Sequence, residues 1–266
     1  MKRAVADTAS IPSLERVRFR LDLIEPATLH GSQLQNGRAR QHLTEGFNRR
    51  VYMMEASALA LQEVVERKDR SPLGPYEATE LAVQLNALYL NLCGAIDNLG
   101  WAVQHEWSVL GLVNETDRRR LQVSFRRSSF IDRIAESRPE LSATIRTFLP
   151  WLRDLHELRD PAAHRIPLYV PPGTITDSEQ LLELQRLNAE ASAAFESGQY
   201  RQGMDLSHRA RHVGTYMPVM VLSHEDRRLE VRAIPAQVSD DSSQFIALAH
   251  PVLAAMIPGW SWPARF

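Results

Sequence analysis

The stretch from about Tyr76 to Gly111 carries the longest apolar helical pattern in the chain. Leu81, Leu85, Leu88, Leu92, Ala95, Leu99, Ala102 or Val103, and Leu110 recur at steps of three, four and seven, which puts them on one stripe. Tyr89, Leu90, Cys93, Ile96 and Trp101 add apolar surface on other sides of the same helix. A helix packed on one side only keeps a polar face for water. This one has little to keep, so it belongs in the centre of a helical bundle.

The neighbouring patterns supply partners for it. Phe47, Val51, Met54, Ala58, Leu61 and Val65 mark a helix from about Glu45 to Lys68, ended by Ser71-Pro72-Leu73-Gly74-Pro75. A short helix is expected from about Ser129 to Glu136. Another runs from Pro139 to about Asp160, with Leu141, Ile145, Phe148, Leu152 and Leu155 as its stripe and a bend at Pro150. Residues 166–173 read as extended, and 176–212 as two polar helices broken near Ser197-Gly198. Tyr216 to Leu222 and Arg228 to Ile234 read as a hairpin. Leu229, Val231 and Ala233 alternate there with Arg228, Glu230 and Arg232, so one face is wet. A last helix covers about Asp241 to Ile257. At the other end, residues 1–12 read as a tail, Val17 to Leu23 as a strand and residues 30–42 as a loop. The fold class is therefore mainly α, a helical bundle with a small antiparallel β-sheet insertion. Residues 1–43 form a tail and strand, 44–165 the bundle, 166–235 the insertion and 236–266 the closing helix.

Composition narrows the functional classes. With 266 residues the chain has length for one large domain or two small ones. Its single cysteine, Cys93, lies inside an apolar pattern and reads as a small buried hydrophobe in a reducing, cytoplasmic protein. No signal-peptide core and no membrane-length apolar run is present, so no membrane partner is expected. The net charge of −1 argues against a general polyanion-binding surface, so any nucleic acid must meet a local patch.

The segment Leu158-Arg159-Asp160-Pro161-Ala162-Ala163-His164-Arg165 is where chemistry concentrates. Histidine moves protons near neutral pH, and arginine holds a phosphate and its transition state. Continuing the stripe by four from Leu155 lands on Arg159, so its charge faces inward or into an interface and needs a partner. Asp160 before Pro161 reads as the N-cap of a new turn that carries His164. The spacing alone is cheap, because Arg201 and His208 repeat it in a polar helix.

Arg159-Asp160-Pro161-Ala162-Ala163-His164 resembles the signature of the HEPN superfamily: arginine, a polar residue, then histidine after four to six intervening residues. The segment Gly94 to Trp101 also resembles the middle helix of several such proteins. The resemblance covers roughly residues 44–165. It implies a bundle of about four or five helices and, in many members, a metal-independent endoribonuclease of toxin, antiphage or RNA-processing systems. It further implies RNA as substrate, a homodimer whose two motifs share a cleft, and a protein antitoxin or regulator as partner. His164 would act as acid or base, Arg159 would stabilise the phosphorane, Asp160 would orient Arg159, and Arg165 would assist. One departure is visible: Pro167 stops the histidine-bearing helix, so residues 166–235 interrupt the family pattern. Some relatives keep the bundle without nuclease activity, so the alternative is a non-catalytic helical binding or scaffold protein.

Other side chains are candidates for substrate contact. Asn91 and Asn98 lie seven apart on one helix face with Asp97 adjacent, and can line a cleft or tie helices together. Arg118, Arg119, Arg120, Arg126 and Arg127 can grip phosphates or simply form a solvated loop. His156 reads as a surface histidine. His208 and His212 at i and i+4 lack a cysteine or acidic partner, so neither a metal nor a cofactor is expected.

Overall fold

A computed structural model describes residues 23–67, 69–112, 117–164, 166–223 and 228–260. Among the described residues the chain is mainly helical, with one two-stranded antiparallel sheet. Helix α1 (Glu25–Gly31) and α2 (Gly37–Gln41) lead through a π-helical stretch, His42–Phe47, into α3 (Asn48–Val65). Then come α4 (Pro75–Trp107), a 3-10 turn (Arg118–Gln122), α5 (Ser128–Ala135), α6 (Pro139–Thr147) and α7 (Leu149–His164). The chain continues through α8 (Ser178–Glu196), α9 (Tyr200–Arg211), β1 (Val219–Ser223), β2 (Leu229–Ala233) and α10 (Ile234–Met256). Among the described residues, no helix is long and apolar enough to cross a membrane.

Helix α4 is central, as its all-round apolar pattern requires. It packs against α2, the π-helical stretch, α3, α7 and α10. Pro75 sits in its first turn, and the Glu77 carboxylate accepts the Gly74 backbone N–H at 2.7 Å. Proline there loses no helical bond, because first-turn N–H groups have no partner inside the helix. Ser108, at φ 50°, ends the helix in the left-handed conformation. Across the core, the buried Asp241 of α10 accepts hydrogen bonds from Tyr89 Oη (3.0 Å), Trp151 Nε1 (2.9 Å) and Gln237 Nε2 (3.0 Å). One carboxylate thus joins α4, α7 and α10.

Four expectations are corrected. Residues 30–42 are not a loop. Asn36 caps α2, its Oδ1 accepting from the Arg38 and Ala39 N–H groups at 2.9 and 3.2 Å, and Glu106 takes the backbone N–H groups of Gln35 and Asn36. Pro150 does not bend one helix but falls in the first turn of a new one, because it offers no N–H to the preceding turn. Asp160 is no N-cap: α7 runs unbroken through Pro161 to His164. The missing Pro161 N–H removes one bond, and the buried Leu152, Leu155 and Leu158 anchor the helix on the core. Finally, the apolar face of β2 points outward. Met220 and Leu222 of β1 turn into the core, and their cross-strand partners Arg232 and Glu230 share that side. Leu229 and Val231 are left 65% and 61% exposed. Arg232 Nε donates to Glu230 Oε1 at 2.7 Å, which makes the half-buried charged face tolerable.

The strand expected at 17–23 falls, except for Leu23, outside the described residues. Leu23 itself is buried at a helical start. Helices α8 and α9 pack on each other through Leu187, Ala191, Ala194, Leu206 and Ala210, an apolar cluster separate from the main core. Gly203 makes that crossing close, since a Cβ there would lie 2.7 Å from the Phe195 ring.

Candidate functional site

The side chains that can do chemistry gather where α7 crosses the middle of α4. On α7 the buried Leu155 and Leu158 leave His156, Arg159 and Asp160 at the edge of the core. His156 and Asp160 are four apart, so they share a helix face. The His156 Nδ1 lies 3.5 Å from Asp160 Oδ1, and Arg159 Nη1 donates to the same oxygen at 3.2 Å. The His156 side chain is only 16% exposed, Arg159 30% and Asp160 45%.

Asp97 of α4 faces this trio. It is open to solvent, with charged side chains nearby. Burial raises its pKa, while the guanidiniums of Arg126, Arg159 and Arg50 pull it back down. Burial, then the nearby Arg126 charge, pushes the His156 imidazole down to about 4 against the opposing pull of Asp160. His156 is therefore neutral at neutral pH. Burial acts to raise Asp160 too, but the donors Arg159 and His156 outweigh it, and its pKa is lowered. Cys93, one turn before Asp97, has its thiol pushed up to about 12 by burial and is inert.

Asn91 and Asn98 mark a second line along α4. Arg50 of α3 lies across Gly94, where a Cβ would fall 2.4 Å from its guanidinium, and donates to Asn91 Oδ1 at 3.3 Å. Asn98 donates to the Gly94 carbonyl at 2.7 Å, and its Oδ1 lies 3.1 Å from His42 Nδ1. Gly46 makes room for it: a Cβ there would be 2.0 Å from Asn98 Oδ1.

Comparison with protein-family models, with curated proteins and with solved structures found no match to this chain. The site therefore rests on its own geometry.

That geometry sorts the expected residues. Arg159, Asp160 and Asp97 come together, with Asn91 joined to them through Arg50. Asn98 turns away toward His42. Arg165 and the side chain of His164 lie outside the described residues. The backbone alone shows that positions 159 and 164 are separated by about 140° around α7, at 3.6 residues per turn. Two residues emerge that the sequence reading undervalued. His156 was expected on the surface but is half-buried beside Arg159, and the clue was its place one turn earlier on the same helix. Arg126 was one of five arginines in a basic stretch, and only the fold brings it to Asp97. Together the guanidiniums can hold a phosphate, with Asp160 ordering Arg159 until one arrives. Among the described residues, no three His, Cys, Asp or Glu side chains are grouped as a metal-ligand set.

Proposed function

We propose that this chain is a HEPN-like, metal-independent endoribonuclease that leaves 2′,3′-cyclic phosphate and 5′-hydroxyl ends. The observation that carries the reading is the placement of Arg159: half-buried, held by Asp160 at 3.2 Å, and sharing the field of Asp97 with Arg126. A guanidinium ordered in this way is preorganised for the charge of a phosphorane.

The reaction needs a base to take the 2′-hydroxyl proton as O2′ attacks phosphorus. It needs an acid to protonate the 5′-oxygen as the P–O5′ bond breaks. His164 is assigned to one of these proton transfers, Arg159 and Arg126 to the phosphorane, and Asp160 to orienting Arg159. Arg165 and Asp97 are assigned to substrate contact. The 140° between positions 159 and 164 favours a cleft completed by a second copy of the chain, so that one copy's arginine meets the other's histidine. A toxin or antiphage role, with a protein antitoxin or regulator, belongs to the same proposal.

The test is cleavage of end-labelled RNA in EDTA by the wild type and by Arg159→Ala and His164→Ala. The arginine variant should lose about 10²–10³-fold and the histidine variant about 10²–10⁴-fold. Equal cleavage by all three proteins would assign the activity to a contaminant and defeat the reading. No cleavage by a folded wild type that still binds RNA would favour the non-catalytic binding protein.

A further inference from the structure

A cavity opens at the C-terminal end of α4, beyond Asn98. It has a volume of about 670 Å³ and is lined by His42, Trp101 and His105, with Arg38 and Arg120 at its wall. The three rings are nearly parallel. His42 lies 5.8 Å from Trp101 and 5.3 Å from His105, and Trp101 lies 5.6 Å from His105, with interplanar angles of 15°, 18° and 29°. All three are half-buried, so each gives part of its surface to the cavity.

This arrangement is built rather than incidental. Trp101 and His105 are four apart on α4 and so share a face. His42 comes from the π-helical stretch and is fixed by its contact with Asn98 at 3.1 Å. The Asn36 cap and the Glu106 carboxylate pin α2, and with it Arg38, against the end of α4. Burial, then the neighbouring His42 and Arg38, lowers the His105 pKa. Parallel aromatic rings beside guanidiniums match a ligand with a flat ring at one end and a negative charge at the other. The stacking surface takes the ring, and the guanidiniums take the anion. Gln41, and the amide N–H groups of buried Gln104 and of Asn36, which also line the cavity, can meet the polar edge of such a ring.

We infer that the His42–Trp101–His105 cavity binds a nucleotide, its base stacked on the rings and its phosphate held by Arg38 and Arg120, either as a free molecule or as one unit of a single strand. This stands independently of RNA cleavage. The groove around Arg159 can fail as a nuclease while the cavity binds, and the reverse holds as well.

Titration calorimetry on the full chain tests it, with the four nucleoside monophosphates, a short single-stranded DNA that lacks the 2′-hydroxyl, and inorganic phosphate. Binding of mononucleotides identifies a free ligand, and binding of the oligomer alone identifies a strand unit. Either supports the site. Trp101→Ala should weaken binding about tenfold or more, Trp101→Phe should retain most of it, and Arg186→Ala on α8 should leave mononucleotide affinity unchanged. Should Trp101→Ala fail to fold, His105→Ala takes its place and should weaken binding in the same direction. Absence of binding to mononucleotides and oligomer alike overturns the inference. So does phosphate binding as tightly as any nucleotide, or a folded Trp101→Ala with wild-type affinity.

Discussion

Asp241 and Asp97 are both acids packed against α4, and burial raises the pKa of each, yet their surroundings differ in kind. Asp241 is 3% exposed and receives three hydrogen bonds from Tyr89, Trp151 and Gln237, all neutral donors. Asp97 is reached by solvent and is balanced by the charges of Arg126, Arg159 and Arg50. Neutral donors at fixed distances satisfy a carboxylate and leave nothing for a ligand. Cations around an accessible acid remain available to a second anion. The first arrangement holds helices together, and the second leaves cations within reach of a ligand.

The contrast is broken most directly at Asp241. Asp241→Ala leaves the Tyr89 hydroxyl and the Trp151 N–H buried without their acceptor and should cost about 4 kcal/mol. Urea unfolding measures it, and a loss under about 1 kcal/mol would remove Asp241 from the framework of the fold. At the site end of α4, Gly46→Ala should cost about 2 kcal/mol, since the new methyl must displace Asn98 from His42. A thermal melt within a degree of wild type would show that the contact is slack.

His156 makes a pH-dependent prediction. Its folded pKa, about 4, lies below the ordinary value of 6.5, so between those values the unfolded chain binds the extra proton. Stability is then full above about pH 6.5 and falls as pH drops toward 4, by about 3 kcal/mol for this group. His156→Gln should flatten that part of the profile, measured as the difference between variant and wild type. An unchanged slope would place the imidazole in water. The smallest stability effect belongs to Asp97→Asn, within about 0.5 kcal/mol of wild type, because burial and the arginines oppose each other there. The same variant should bind RNA several-fold more tightly in a filter assay at low salt, having removed a competing negative charge. Weaker RNA binding would instead make Asp97 a ligand contact.

How legible these features were depended on the range of the forces behind them. The periodicity of α4 and the turn residues around α8, α9 and the hairpin are local, and those elements appear where they were read. The outward face of β2 was not legible, because alternation tells that two faces differ but not which one meets the core; Met220 and Leu222 on the partner strand decided it. Asp160-Pro161 carried the local signature of a helix start, and the packing of Leu155 and Leu158 overrode it. His42 and Trp101 are far apart in sequence, as are Arg126 and Asp97, and only the fold brings the members of each pair together. Arg159, Asp160, Asp97, Asn91 and Asn98 were proposed from sequence alone, whereas His156, one turn before Arg159, was read as a surface residue because burial cannot be read from a single polar residue beside a leucine.

Helix α4 is 33 residues long, about 50 Å at 1.5 Å per residue. Asp97 and Trp101 lie on it one turn apart, about 6 Å along the axis. The groove and the aromatic cavity are therefore marks on one rigid rule, not the tips of separate loops. A molecule that reaches from one to the other is gauged by helical pitch, and one residue inserted between them would turn the two sites about 100° out of phase while adding almost nothing to their separation.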